Sequence, residues 1–454
     1  MARLFGTDGV RGVANADLTP ELAFRVGRAG AWALSREIDA HRPFVVARDT
    51  RLSGSMLEAA VVAGIASSGR DALSVGIAPT PAVPVIVRSI GAAGGVMISA
   101  SHNPIEYNGI KFFGADGYKL DDAREREIEA LIDADALPRP THDRVGIAKP
   151  ADDLVEHYFT ALLEVAGDLS GLTVVVDAAY GAAFEIGPRA FARAGAQVVA
   201  LHAEDDGSRI NVACGSTDTT ALSARVRELA AADPQAHVVG VAFDGDADRV
   251  MFVAEDGTAL TGDHVMYALA REKQRSGTLV GDTLVATVMS NVGLERALRS
   301  AGIALIRAAV GDRYVLEAMR AGGFSLGGEQ SGHIIDFARN TTGDGPMTAL
   351  AVLSLLARER ATLRALTEPV RVYPQILLNV AGVTPQVLTD PAVLGAIAAA
   401  EAELGDRGRV LVRASGTEPL VRVMVEGDQA ELIDRLARGI AEAVGAGAPS
   451  VRVL

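Results

Sequence analysis

The sequence predicts a multidomain α/β protein, and three observations carry that reading. Short runs of Val, Ile and Ala recur along the chain, each closing in a polar, Gly-bearing turn and each followed by an amphipathic stretch. The runs are continuously apolar rather than alternating, as strands buried on both faces of parallel or mixed sheets are. The 454 residues also exceed what one hydrophobic core holds, and the pattern changes beyond Arg371.

In chain order, residues 44–47 precede Arg48-Asp-Thr-Arg-Leu-Ser-Gly54, and residues 95–98 precede Ser99-Ala-Ser-His-Asn-Pro104. Residues 172–176 lead into Asp177-Ala-Ala-Tyr-Gly181, and residues 238–243 into Asp244-Gly-Asp-Ala-Asp-Arg249. Ligands of such sheets bind outside the carboxyl ends of the strands, so these turns are where a site is expected. Residues 133–153 combine Asp, Pro, Thr and Lys with few large apolar side chains and read as a connector, which closes a first domain at 1–150. Glu255-Asp-Gly257 reads as a turn ending a second domain, 151–257. A third, 258–369, holds apolar runs at 284–289 and 304–310 and a helix-like run over 347–366 that Thr367-Glu-Pro369 ends. The remaining 370–454 carry strand patterns at 375–380, 410–413 and 420–426, an Ala-rich helix near 391–403 and a last helix over 430–445. That makes a smaller α+β domain.

Composition excludes several function classes. A net charge of −14 argues against nucleic-acid or anionic-membrane partners, which call for a basic face. An anionic substrate must then be held by local Arg and Lys clusters. Cys214 is the only cysteine, so no intramolecular disulfide forms and a reducing compartment is expected. The opening residues lack the layout of a signal peptide, and no run reaches the roughly 18 apolar residues a bilayer span requires. A soluble, cytoplasmic protein is the expectation; the oligomeric state stays open, a homodimer included.

Asp244, Asp246 and Asp248 alternate after an apolar strand. In an extended or gently turning segment alternate side chains point the same way, so three carboxylates converge on one hard cation such as Mg²⁺. A solvated acidic turn is the plainer reading, and strict alternation weighs against it. A calcium loop fails because Arg249 occupies its sixth position, where glycine is required, and both flanks read as strands. Ser101 lies in a turn that Pro104 keeps out of the helical region, and Ser99 is an equal candidate on residue type. In Arg413-Ala-Ser-Gly-Thr-Glu-Pro419, Ser415, Thr417 and the amides around Gly416 can line an anion nest beside Arg413 and Arg422. The loop Gly327-Gly-Glu-Gln-Ser-Gly-His333 suits hydrogen bonding to sugar hydroxyls. Lys111, Arg11 and Gly311-Asp-Arg-Tyr314 read on their own as surface features.

Taken in order, five motifs spanning the whole chain resemble the α-D-phosphohexomutase family: Gly6-Thr-Asp-Gly-Val-Arg-Gly12, Ser101-His-Asn-Pro104, Asp244 to Arg249, Gly328-Glu-Gln-Ser-Gly-His333 and Arg413 to Pro419. Gln330, the opening motif and Gly311-Asp-Arg-Tyr314 look like the branch acting on glucosamine phosphates. The resemblance implies three similar α/β/α domains with mixed sheets plus a smaller C-terminal α+β domain around a central cleft. It implies that Ser101 carries a phosphoryl group and that Asp244, Asp246 and Asp248 hold one Mg²⁺ together with an oxygen of phosphorylated Ser101. Glu329 and Ser331 would read sugar hydroxyls, while Arg413, Ser415, Gly416, Thr417 and Arg422 would grip the phosphate that is not reacting. Lys111, His333, Arg11 and Arg249 match positions near the reacting groups. The implied reaction interconverts glucosamine 6-phosphate and glucosamine 1-phosphate through a bisphosphorylated hexosamine, feeding UDP-N-acetylglucosamine and cell-wall precursor synthesis. Rivals are the same reaction on mannose or glucose phosphates, a metal-assisted phosphatase, and a sugar-phosphate sensor without catalysis.

Overall fold

The computed structural model describes all residues except 1–3, 7, 8, 37, 40, 135, 416–419, 447–451 and 454, together with the side chains of 452 and 453. The chain divides into two compact units, residues 1–287 with 306–368, and residues 288–305 with 369–454.

The larger unit is built on three mixed sheets. The first contains β1 (Val10–Val13), β2 (Phe44–Arg48), β3 (Ala72–Ile77), β4 (Gly94–Ile98), β5 (Tyr107–Gly114) and β6 (Ala148–Pro150), in the order β1-β5-β4-β2-β3-β6. Its β2, β3, β4 and β6 run parallel, and β5 turns back antiparallel to both β4 and β1. The second comprises β7 (Leu172–Asp177), β8 (Gln197–Leu201), β9 (His237–Phe243), β10 (Val250–Val253) and β11 (Ala259–Leu260), ordered β11-β10-β9-β7-β8. The third is β13-β12-β14-β15, from β12 (Thr283–Thr287), β13 (Ala304–Ala308), β14 (Leu326–Gly328) and β15 (Ile334–Asp336). The central strands β2, β4 and β9 are buried along almost their whole length, which is why their sequences show no alternation. The expected connector does more than connect: β6, within it, adds an edge strand parallel to β3. The helix-like run near 347–366 is two helices, Gly345–Glu359 and Leu363–Thr367, separated at Arg360, which adopts a left-handed conformation.

The smaller unit is an antiparallel sheet, β16 (Gln375–Ala381), β17 (Gly408–Ala414), β18 (Leu420–Gly427) and β19 (Arg452–Val453), in the order β17-β18-β16-β19. Helices Pro391–Leu404 and Ala430–Gly445 supply its apolar core. A third helix, Val292–Ser300, joins it from earlier in the chain. Fully buried Glu426 accepts from the Val292 amide at 3.1 Å and from the Asn291 side chain at 3.1 Å, and Arg409 Nε donates to it at 2.9 Å. A buried carboxylate needs such partners, and these fix the helix on this sheet. Among the described residues no helix is long and apolar enough to cross a membrane.

Asp344 is the polar knot of the larger unit. It caps helix Gly345–Glu359 by accepting from Met347 N at 2.9 Å, and it also accepts from Tyr158 Oη at 2.7 Å and Asn340 Nδ2 at 2.8 Å. Burial raises its pKa from the ordinary 3.8 to about 6, against the pull of those hydrogen bonds. The folded protein therefore holds this proton more tightly than the unfolded chain does. That stability is present below about pH 4 and is lost as the pH rises through about 6, an amount of about 3 kcal/mol. Urea denaturation across this range is expected to show wild type losing stability relative to Asp344→Asn as pH rises; parallel profiles would refute the assignment.

Candidate active site

The polar turns at the strand ends meet inside the larger unit. After β4 the chain enters a tight loop in which Ser101 takes a left-handed φ of 53° and is 2% exposed. A non-glycine residue holds that conformation only when its surroundings impose it. Here the Ser101 amide donates to Ser99 Oγ at 2.8 Å, and Ser99 Oγ donates to Asp49 Oδ2 at 2.6 Å. The Arg51 guanidinium, paired with Asp49 at 3.0 Å, donates to the carbonyls of Ser101, Asn103, Pro104 and Tyr107 at 2.6–2.9 Å. Asn211 Nδ2 donates to the Ser101 carbonyl at 2.9 Å. The two serines thus differ in position: Ser99 is built into the support, and Ser101 Oγ is turned toward the acidic loop.

That loop follows β9. It is a tight turn rather than the extended or gently turning segment expected from the alternation. Residues 244–249 form a turn in which Ala247 N bonds to the Asp244 carbonyl at 3.0 Å and Ala247 itself is left-handed at φ 55°. The turn, rather than strand geometry, gathers the carboxylates: Asp244, Asp246 and Asp248 are all buried and bring one oxygen each to within 4.8 Å of the others. Gly245 permits the approach of the serine loop, since a Cβ there would lie 2.6 Å from the Ser101 carbonyl oxygen. Ser101 Oγ donates to Asp244 Oδ2 at 2.6 Å. Thr80 Oγ1 donates to Asp246 Oδ2 at 2.6 Å, and Lys111 Nζ, on β5, reaches Asp246 at 2.8 Å and Asp248 at 3.8 Å.

Burial, then the neighbouring Asp248 and Asp246, push the Asp244 carboxyl well above its usual range. Asp248 Oδ1 is buried without a hydrogen-bond partner among the described residues. Three buried carboxylates gathered to one point form an all-oxygen donor set, and such a set fits a hard divalent cation.

The third sheet brings the glycine-rich loop to the same place. Arg249 and His333 form a backbone bridge, and Val250 N donates to the Gly332 carbonyl at 3.1 Å. His333 is 2% exposed, with Nε2 3.9 Å from Asp248 Oδ2 and 3.7 Å from Asp312 Oδ2, and its ring lies over Gly343, where a Cβ would meet it at 2.4 Å. Glu329 Oε1 accepts from the Gly311 amide at 3.2 Å, and Ser331 follows in the same turn. Burial disfavours the Arg249 charge, but Asp244, Asp248 and Glu329 outweigh it and hold its pKa above the ordinary value. Arg11, on β1 opposite Gly109, lies close enough to depress the pKa of His102. Ser101, the three aspartates, Lys111, Arg11, Arg249, Glu329, Ser331 and His333 are therefore neighbours in one unit.

In the smaller unit, Arg413 and Arg422 are direct partners across β17 and β18. Burial and then the Arg422 charge lower the Arg413 pKa, the mark of two like charges brought together without full solvation. Ser415 N bonds to the Leu420 carbonyl at 2.9 Å, and Gly416 and Thr417 lie outside the described residues.

Four family profiles, described as phosphoglucomutase/phosphomannomutase domains I, II, III and the C-terminal domain, match residues 2–139, 156–257, 261–373 and 377–443. The chain belongs to the phosphoglucomutase/phosphomannomutase family. Curated relatives include proteins named phosphoglucosamine mutase from Rhodococcus erythropolis, 51% identical over 98% of this chain and 100% of that one, and from Moorella thermoacetica, 51% identical over 97% and 98%. Among solved structures, a phosphoglucomutase/phosphomannomutase family protein from Burkholderia thailandensis superposes with a TM-score of 0.83 at 25% identity, covering 99% of this chain and 98% of its own. Aspergillus fumigatus N-acetylphosphoglucosamine mutase, in complex with GlcNAc-6P and magnesium, shares the fold at TM-score 0.66 and 17% identity, over 97% and 95% of the two chains. The fold is that of the phosphohexomutases, three α/β/α domains and a small C-terminal antiparallel domain.

Several residues of this family member's site escaped the sequence reading. Asp49, Arg51, Thr80, His102 and Asn211 all touch the serine or the acidic loop. The signal for the first two was present, because Arg48-Asp-Thr-Arg-Leu-Ser-Gly54 was already recognisable as a polar turn at a strand end. His102 Nδ1 lies 3.1 Å from Ser101 Oγ, and burial, Arg249 and Arg11 push its pKa down to about 4, so the ring is neutral near pH 7. Arg51→Met leaves Asp49 buried and unpaired and is expected to destabilise the protein by about 3–5 kcal/mol in urea denaturation, with Arg51→Lys recovering part of the loss. A wild-type midpoint for Arg51→Met would show that the Arg51 contacts do not hold the loop.

Proposed function

We propose that this chain interconverts glucosamine 6-phosphate and glucosamine 1-phosphate by way of a phosphoryl group carried on Ser101. The observation that carries the reading is the 2.6 Å contact between Ser101 Oγ and Asp244 inside a buried acidic trio. The choice of sugar rests on the relatives named phosphoglucosamine mutase at about half identity over nearly the whole chain. The four-way division at 1–150, 151–257, 258–369 and 370–454 remains our reading of the domain limits, and the lone cysteine supports a reducing, cytoplasmic setting.

Asp244, Asp246 and Asp248 would hold Mg²⁺, which when bound neutralises charge on the transferring group and aligns donor with acceptor. The chain's own residues do the rest. The Arg51-braced loop keeps Ser101 Oγ at a fixed point, which converts phosphoryl transfer into an effectively unimolecular step. Lys111, Arg249 and Arg11 are the cations that would hold phosphoryl oxygens. His333, whose ring nitrogens have no hydrogen-bond partner among the described residues, and Lys111, once it has given up its own proton, are the candidates to take the proton of the attacking sugar hydroxyl. Glu329 and Ser331 would accept from and donate to the sugar's other hydroxyls. Arg413, Ser415, Gly416, Thr417 and Arg422 would bind the phosphate that is not reacting. In the first half-reaction Ser101 gives up its phosphoryl group to form the bisphosphorylated hexosamine. The sugar then reverses, and its other phosphate returns to Ser101.

Peptide mapping of active enzyme is expected to find phosphate on Ser101, and Ser101→Ala is expected to lose turnover; full activity in that variant would overturn the reading. Asp246→Asn removes part of a charge stabilisation of several kcal/mol, so kcat should fall by about 10²-fold or more. Turnover should cease with chelator and return with Mg²⁺. Comparison of kcat/KM for glucosamine, glucose and mannose 6-phosphates tests the sugar assignment, and preference for an uncharged sugar would move the chain to another branch of its family.

A further inference from the structure

A second cluster of metal-ligating side chains lies in the second sheet's loops, apart from the acidic trio. Asp177 ends β7, His202 follows β8, and Cys214 lies in the segment that runs on from it. One ligand atom from each comes within 4.8 Å of the other two. Asp177 and Cys214 are fully buried, and the His202 side chain is 22% exposed, so the cluster has one opening to solvent.

The arrangement of Asp177 is informative. Its Oδ1 accepts from the Ala179 amide at 2.9 Å. Its Oδ2 lies 3.0 Å from His202 Nδ1, yet among the described residues neither atom makes a hydrogen bond in acceptable geometry. A fully buried carboxylate oxygen and a ring nitrogen thus lie close but misaligned with each other, with a ligand atom of Cys214 within 4.8 Å. Ligands bonded at about 2.0–2.1 Å to one tetrahedral ion are separated by about 3.3 Å, close to the 3.0 Å between Asp177 Oδ2 and His202 Nδ1. Carboxylate, imidazole and thiolate together make a borderline donor set, which suits Zn²⁺ and its neighbours rather than Mg²⁺ or Ca²⁺.

We propose that Asp177, His202 and Cys214 form a site for one borderline divalent cation of the Zn²⁺ type, with a fourth position open to water. Binding releases the thiol proton and forms the Cys214–metal bond. The ion ties together two loops that carry left-handed residues at Ala179, Tyr180, His202, Asn211 and Ala213. Asn211, between two of the ligands, bonds through its amide to the Ala179 carbonyl at 3.0 Å and through its side chain to the Ser101 carbonyl at 2.9 Å. The clip thereby holds one support of the serine loop in place.

The test titrates chelator-treated, reduced protein with Co²⁺ in the presence of excess Mg²⁺. One equivalent per chain should bind with a thiolate-to-cobalt charge-transfer band, and Cys214, the only cysteine, is the only possible source of that band. One equivalent of Zn²⁺ should abolish it, since zinc binds such ligands more tightly. The band should vanish in Cys214→Ser, persist in Asp246→Asn, and require at least about tenfold more Co²⁺ in His202→Gln. If Cys214→Ser fails to fold, the wild-type spectrum and the His202→Gln titration decide. Absence of the band at one equivalent, its survival in Cys214→Ser, or wild-type Co²⁺ affinity in His202→Gln overturns the proposal. Absence of the band would leave Asp177 and His202 as an ordinary buried pair.

Discussion

Three carboxylates buried at the end of one strand set the terms for the rest of this structure. Asp244, Asp246 and Asp248 crowd three acidic groups into a place far from water, and such crowding calls for compensation. The compensation within the protein comes from separate elements: the Ser101 hydroxyl after β4, the Thr80 hydroxyl after β3 and the Lys111 ammonium on β5. Each of these belongs to the first sheet, while the aspartates belong to the second. The two sheets are therefore held in register by the same contacts that make the site. Three carboxylate oxygens drawn to one buried point are a donor set that suits a hard cation.

The Ser101 loop is the second half of that arrangement. Left-handed backbone at Ser101 is held by bonds to its amide and carbonyl rather than by its own side chain, so Oγ stays available. Arg51 reaches four carbonyls of one loop because its guanidinium is a flat fork of donors; a point-charge ammonium has no equivalent reach. Neutral His102 beside Ser101 Oγ adds no positive charge to a region already occupied by Arg249, Arg11 and Lys111.

The smaller unit follows different physics. Its antiparallel sheet places Arg413 directly across from Arg422, two like charges on neighbouring strands. Its helix Val292–Ser300 is contributed from between two strands of the third sheet and is secured by Glu426. Boundaries in sequence and boundaries in packing need not coincide, because a buried charge selects its partners by distance and not by chain order.

By itself the sequence determined the strand-turn-helix grammar, the α+β character of the tail, the metal-type acidic trio and the family. Those are local signals: apolar runs, turn residues and short motifs whose spacing is visible in one dimension. Tertiary structure alone decided which of Ser99 and Ser101 faces the acidic loop, that a left-handed turn rather than an extended segment gathers the aspartates, that Lys111 is buried rather than a surface charge, and that Arg51, Thr80 and Asn211 belong to the site. It also brought Cys214 to Asp177 and His202. The reason is chain separation. Ser101 and Asp244 stand 143 residues apart, and contacts of that range arise from how sheets pack, which no local period encodes.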